Sequence, residues 1–377
     1  MDFSFSKSQQ LLQKSARDYL KKECKELARE AEETAEGYSP ETWKAIADLG
    51  WLGIGVSEQY SGIGGDFFDH TVVLQEMGRF LFPGPFIPSG VCATYLIHRF
   101  GSDKQKEVIL PKMIEGKTIV IPALIHPEPY AGESFIEDDV IENTENGSCL
   151  FSGTRLFVPY ADSADLYLIP VELPSEHTGK ELRWLLVDAK DTGINCTTLK
   201  TTAHDRQHEV VFKNVSVPKE NALGKDENGE EILKMIRETG SLAHSAYILG
   251  MLEQVLEMTV EYAKIRMQFD KPIGQFQAIQ HQCADMMIDL EQVRYLTYQA
   301  AWRLSMDLQA GKEISMAKAR SSDVSRRICL LGVKVHGGIG IIDEYDMQLY
   351  FRRAKAMELA FGDGDFHREI VAAELGL

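Results

Sequence analysis

The sequence predicts a mostly α-helical protein with a central antiparallel β block. Three observations carry this: apolar residues recur at helical spacing to about residue 118, short β-branched and aromatic runs follow to about residue 225, and long stripes at spacings of three and four fill the remainder. The expected division is therefore 1–118 (helical), 119–225 (an antiparallel sheet or small barrel) and 226–377 (a helix bundle). A chain of 377 residues exceeds one ordinary core, so two or three packed units are expected. With 44% hydrophobic and 26% charged residues the composition excludes disorder, and a net charge of −17 argues against a nucleic-acid or anionic-membrane surface. Small molecules or proteins are the expected partners.

In the first segment Ser6 and Gln9 form a capping box ahead of the stripe Leu11, Leu12, Ala16, Tyr19 and Leu20. Further helices are expected over 40–49, 68–80 and 104–114. Ser61-Gly62 and Gly64-Gly65 mark a loop, and Phe82-Pro-Gly-Pro85 stops the helix before it. The extended runs are 118–125, 148–152, 164–169, 182–187 and 209–212, with Asn146-Gly147 as a hairpin signal. The polar run 224–230, GKDENGE, reads as a hinge. Beyond it, Leu249, Leu252, Leu256, Thr259 and Ala263 form one stripe, and Phe276, Ile279, Cys283, Met286, Leu290, Val293, Leu296, Ala300 and Leu304 form another.

Six cysteines, Cys24, Cys92, Cys149, Cys196, Cys283 and Cys329, lack the paired spacing of a metal site and read as reduced core thiols. No run reaches the roughly 18 apolar residues that a membrane span needs, and the N-terminus has no signal or transit character, so a cytoplasmic location is expected. No metal site is expected.

Chemistry is expected to centre on 333–365, where Leu330, Leu331 and Val335 close a helix, Gly337, Gly338 and Gly340 follow, and 345–361 restarts as an amphipathic helix. Unpaired amides at such a turn suit a phosphate. His126, His336 and His367 have no carboxylate at fixed spacing and read as ordinary polar contacts. Arg352, Arg353 and Lys355 either attract phosphates or solvate a helix face, and Asp343 and Glu344 read as capping and turn acids.

Residues 333–344, VKVHGGIGIIDE, and 266–277, RMQFDKPIGQFQ, resemble the two C-terminal signatures of the acyl-CoA dehydrogenase family. The stretches 49–56, LGWLGIGV, and 57–65, SEQYSGIGG, are similar to the family's early helix and Gly-rich loop. The resemblance runs end to end. It implies a helical N-terminal domain, a β-barrel-like middle domain and a C-terminal four-helix bundle, with FAD bound across a subunit contact in a homo- or hetero-oligomer, usually a dimer of dimers. Carried over position by position, it implies that Arg266 meets the FAD pyrophosphate and Phe269 the adenine, that Gln277 faces the flavin, and that the segment with Lys334, Gly337 and Gly338 binds the adenine side of a neighbouring subunit's FAD. The implied reaction is α,β-dehydrogenation of an acyl-CoA thioester, with a Glu removing the α-proton and an electron-transferring flavoprotein as acceptor.

Both of the family's positions for that Glu are changed. The register puts Ala360-Phe361-Gly362 where Tyr-Glu-Gly is expected, and Gly240 at the alternative position on the first bundle helix, with Glu238 two residues away. Near the flavin ring, Ile125-His126-Pro127 and Phe157-Val158-Pro159 replace the family's usual Thr hydroxyls and amides, and Pro159 has no N–H to donate. The segments FLFPGPF, FVPYADSAD and AFGDGDFHRE resemble bacterial members acting on bulky ring or branched acyl-CoAs, several of them heterotetramers in which only one chain supplies the base. The sequence therefore leaves two expectations. Either this chain is an enzyme with a relocated acid, for which Asp363 in its Gly-flanked turn is the nearest candidate, or it is a silent subunit completing a paralogue's FAD site.

Overall fold

A computed structural model describes residues 3–24, 26–125, 139–143, 148–175, 179–225 and 228–377. Its contacts gather into two compact units, Met1–Ala28 with Asp66–Phe82 and Gly240–Leu377, and Arg29–Gly65 with Pro83–Thr239. The division falls inside one 37-residue helix, α7 (Gly229–Ile265). Residues 1–118 thus contribute to both units.

The first unit is helical. It comprises α1 (Lys7–Glu23), α4 (Phe67–Arg79), the greater part of α7, α8 (Gln277–Ser305), α9 (Gly311–His336), α10 (Met347–Leu359) and α11 (Gly364–Glu374). The capping box at Ser6 forms as expected, with Gln9 N–H donating to Ser6 Oγ at 3.2 Å and Ser6 N–H to Gln9 Oε1 at 3.0 Å. α9 packs against α8, α10 and α11, and α4 against α1 and α8. Helices α4 and α7 cross backbone to backbone: a Cβ on Gly250 would fall 1.7 Å from the carbonyl oxygen of Gln75, and one on Gly78 would fall 1.8 Å from that of Tyr247. Along α8 the stripe residues Met286, Leu290, Val293 and Ala300 are buried, whereas Phe276, Ile279 and Cys283 at its start, and Leu296 and Leu304 further on, are only partly covered. Cys283 is therefore not a core thiol, and neither is the exposed Cys196 on its strand; Cys24, Cys92, Cys149 and Cys329 are buried.

The second unit carries α2 (Leu27–Glu33), most of which lies here, then α3 (Pro40–Asp48), α5 (Thr94–Phe100) and α6 (Asp103–Ile114), with a π-helical stretch at Phe86–Ala93 leading into α5. Its strands are β1 (Val120–Pro122), β2 (Asp139–Asn143), β3 (Ser148–Pro159), β4 (Leu166–Ser175), β5 (Gly179–Asp188), β6 (Ile194–Leu199), β7 (Gln207–Val217) and β8 (Ala222–Leu223). They form two four-stranded sheets in the orders β1-β4-β5-β8 and β2-β3-β7-β6. All pairings are antiparallel except β1 with β4. Phe151 on β3 meets Phe212 on β7 at 5.1 Å, and Phe212 meets Tyr167 on β4 at 5.7 Å, so the sheets pack face to face through an aromatic seam. β2 and β3 pair from Asn143 with Ser148, as a hairpin requires; the expected turn, Asn146-Gly147, lies outside the described residues. The hinge expected over 224–230 is shorter than the sequence suggests. Gly229 and Glu230 already belong to α7, and Trp184 on β5 fixes that end by donating its indole N–H to Gly229 O at 3.0 Å.

Among the described residues no helix is long and apolar enough to cross a membrane.

Candidate active site

At one end of the first unit the chain leaves α7, makes a short hairpin with strands β9 (Met267–Gln268) and β10 (Lys271–Pro272), and enters α8. Phe269 and Asp270 occupy its tip with φ of 52° and 60°, a conformation that projects the Phe269 ring outward and leaves it 86% exposed. The exposed Arg266 guanidinium has no partner among the described residues. The glycine turn lies at the same end, because Tyr262 near the end of α7 stacks on His336 at the end of α9, centroids 4.4 Å apart and planes 26° apart. His336 is buried, hydrogen-bonded through Nδ1 to Gly332 O at 2.7 Å and through Nε2 to Tyr345 Oη at 3.1 Å, so it is a structural pin, as expected of an ordinary polar contact. Gly337 adopts φ 66°, and a side chain at Gly337 or Gly338 would meet nothing within 4 Å. Lys334 and Gln277 are exposed. The turn is a single 3₁₀ stretch, Gly337–Ile341, and α10 begins at Met347, close to the restart expected at 345.

An exposed cation, an exposed ring and an uncovered glycine backbone are the donor set that a dinucleotide's phosphates and adenine require. In the second unit, the segments expected near the flavin ring offer a different chemistry. Leu156 N–H donates to Ile125 O at 2.8 Å, and the register shift between Arg155 and Val158 turns Phe157 (φ 52°) outward. Ile125 and Phe157 are 51% and 53% exposed, so this edge presents apolar side chains. His126 and Pro127 lie outside the described residues.

The two positions at which the family carries its acid are neighbours in space. A Cβ on Gly240 would fall 2.3 Å from Cε1 of Phe361, so the phenyl ring fills the volume that a side chain at 240 would need. Residue 361 is held through its main chain. Phe361 O accepts from His367 Nε2 at 3.0 Å and lies 3.4 Å from Ser241 Oγ, while His367 Nδ1 lies 3.2 Å from Ser315 Oγ. Lys318, fully buried, places Nζ 2.9 Å from Ser322 Oγ, Glu358 O and Gly362 O and 3.2 Å from Met357 O, capping the end of α10 and fixing the turn after it. His244, one turn after Gly240, donates from Nδ1 to Gly240 O at 2.8 Å, and its ring lies 5.3 Å from that of Phe361. Burial, with the Lys318 charge adding to it, pushes both His244 and His367 down to about 4, and burial pushes Lys318 down to about 8.

The freedom expected for the Asp363 carboxylate is not found. Asp363 is the N-cap of α11, and its Oδ1 accepts from Asp365 N–H at 3.1 Å and Phe366 N–H at 2.9 Å. Glu238 lies inside α7, where two residues turn the helix by about 200° and direct it away from the face of Gly240. Arg353 is buried, donating to Leu81 O at 3.3 Å and Ala28 O at 3.2 Å, so it neither solvates a face nor meets phosphate. Lys355 pairs with Glu358, Arg352 with Gln348, and Asp343 and Glu344 lie exposed in the turn before α10. Sequence reasoning missed Lys318, Ser241 and His244. The available signal was a lysine on the buried face of α9, between Ile314 and Ala317 on one side and Ser321, Ser322 and Ser325 on the other.

Residues 6–117 match the family profile described as acyl-CoA dehydrogenase, N-terminal domain, and residues 233–376 match that described as acyl-CoA dehydrogenase, C-terminal domain. An acyl-CoA dehydrogenase of Bacillus subtilis (strain 168) is 30% identical over 389 aligned residues, covering 98% of each chain. The ChsE4-ChsE5 complex from Mycobacterium tuberculosis is similar in structure, with a TM-score of 0.90 and 29% identity over 100% of this chain and 99% of that one. PigA with FAD and proline matches with a TM-score of 0.90 and 27% identity over the full length of both chains. Two domain profiles in order, and relatives aligned from end to end, make this chain a member of the acyl-CoA dehydrogenase family, whose cofactor is FAD.

Proposed function

We propose that the chain is an FAD-dependent acyl-CoA dehydrogenase subunit that removes hydrogen across the α,β-bond of a bulky, branched or cyclic acyl-CoA thioester. The observation that supports this best is the adenine-side set on one end of the first unit: Arg266 without a partner among the described residues, Phe269 held outward, and Gly337 and Gly338 uncovered. In this reading Arg266 pairs with the pyrophosphate, Phe269 stacks on adenine, and Lys334 and Gln277 add polar contacts at the same end. Bound FAD supplies the hydride acceptor. The α-proton goes to a group other than a carboxylate at 240 or 361, and Asp363 serves as the cap of α11. An electron-transferring flavoprotein is the proposed acceptor, and the cytoplasm is the proposed location, in keeping with free cysteines throughout. The matches over 6–117 and 233–376 support 1–118, 119–225 and 226–377 as the functional segments. Exposed Met287, Ile288 and Tyr295 along α8 form an apolar groove suited to an oligomer contact, which supports a dimer of dimers.

A second reading is favoured by the Phe361 ring seated on Gly240 and by the resemblance to a complex named for two different chains. In it, this subunit is silent toward thioesters and completes the FAD site of a catalytic paralogue in a heterotetramer. Anaerobic mixing with straight, branched and cyclic acyl-CoAs separates the two. Flavin bleaching by the purified chain supports the first, bleaching that needs an added paralogue supports the second, and an assembly that takes up no FAD refutes both.

A further inference from the structure

Resting on the enzyme reading above, we propose that His244 is this chain's proton acceptor, receiving the thioester α-proton on Nε2. Four residues along a helix return to within about 40° of the same face, so His244 lies directly above Gly240 on α7. Its ring is 5.3 Å from Phe361, whose own ring fills the space over Gly240. The imidazole therefore adjoins both positions at which related chains carry an acid.

The tautomer is set by the main chain. Gly240 O, 2.8 Å from Nδ1, only accepts, so Nδ1 carries the hydrogen and Nε2 keeps the lone pair. Nε2 has no hydrogen-bond partner among the described residues, and the residue is 8% exposed. The neighbouring groups are all engaged: His367 through both ring nitrogens, Lys318 with four oxygens, Asp363 with two amides. Among the nitrogens of this cluster His244 Nε2 alone presents an unengaged lone pair, and the carboxylate of Asp363 is held at Oδ1 as the cap of α11. Burial keeps it neutral at pH 7, and its conjugate acid, at about 4, is as strong as the glutamic acid it would replace, about 4.3 in the unperturbed state. In the transfer the α C–H bond breaks, its electron pair stays with the carbon as the thioester enolate, and the proton bonds to Nε2 to give imidazolium, hydrogen-bonded to Gly240 O.

The test is hydrogen–deuterium exchange at the α-carbon, followed by NMR on FAD-loaded protein in D₂O with the acyl-CoA panel, because exchange reports proton abstraction without flavin turnover. Wild type should exchange, His244→Gln should lose about 100-fold or more with FAD content unchanged, and Phe361→Glu in the His244→Gln background should restore exchange by returning a carboxylate. Equal exchange by wild type and His244→Gln overturns the inference and leaves the enzyme reading standing. Wild type that neither exchanges nor bleaches until a paralogue is added overturns both. If His244→Gln does not fold, the ¹⁵N signals of the wild-type imidazole decide: a thioester-induced shift at Nε2 is expected, and no shift refutes the assignment.

Discussion

Asp363 and Arg266 show how differently two residues of the same resemblance behave once their surroundings are known. Asp363 holds two amides of α11, a task an amide side chain performs as well, so Asp363→Asn should leave both melting temperature and flavin bleaching unchanged, while Asp363→Ala should cost about 1 kcal/mol. Bleaching lost in the Asn variant would return this residue to the chemistry. Arg266 has no partner among the described residues to lose, so Arg266→Ala should not alter stability. It should weaken FAD binding by roughly 1.5–3 kcal/mol, about 10- to 150-fold, read as flavin retained through gel filtration. The sequence displayed Asp363 between glycines and Arg266 in its signature because each depends on near neighbours. Lys318 was hidden, because its partners at 357, 358 and 362 come from α10 and the turn after it, which fold back on α9.

At the scale of elements, the capping box at Ser6 and Gln9 announced where α1 begins, since a cap is a contest between a side chain and the next few amides, and α3 begins at the expected Pro40. Burial along α8 was read less well: the spacing of the stripe marked a face, but how far its neighbours reach along that face is a tertiary fact. The crossing of α4 and α7 was not legible either, because a glycine inside a helix looks like a weakness until another backbone is laid against it. Gly250→Ala should push the helices apart and cost about 1–3 kcal/mol, seen as a lower denaturant midpoint. Lys318→Met should cost a similar amount, roughly 1–3 kcal/mol, by leaving the carbonyls that end α10 without their cation, and amide exchange should accelerate in the 360–363 turn first.

For the molecule as a whole, three buried bases set a pH dependence. His244 and His367 have folded values near 4 against 6.5 when exposed, so between those values the unfolded chain binds protons that the native chain refuses. Stability from this source is complete above pH 6.5 and is lost as pH falls toward 4, with a limiting slope of about 1.4 kcal/mol per pH unit for each histidine. Lys318, near 8 against 10.5, adds a second window of the same sign, stability rising with pH between those values. Urea melts across pH should show both windows, and His367→Gln should reduce the slope of the acidic one; a flat profile from pH 6.5 to 4 would contradict the burial of these imidazoles. The helix–sheet–helix order was legible along the whole chain because periodicity is local, whereas the frame around residue 361 joins 241, 318, 362 and 367 and has no linear signature. The seating of Phe361 on Gly240 also has a historical consequence. A side chain cannot return at 240 while the ring remains, since its first carbon would lie 2.3 Å from Cε1, but 361 can change alone because the hydrogen bonds that fix it go to its main chain. Any lineage that regains an acid here must alter 361 first, so the order of substitutions is imposed by sterics, and descendants bearing a side chain at 240 should carry something smaller than phenylalanine at 361.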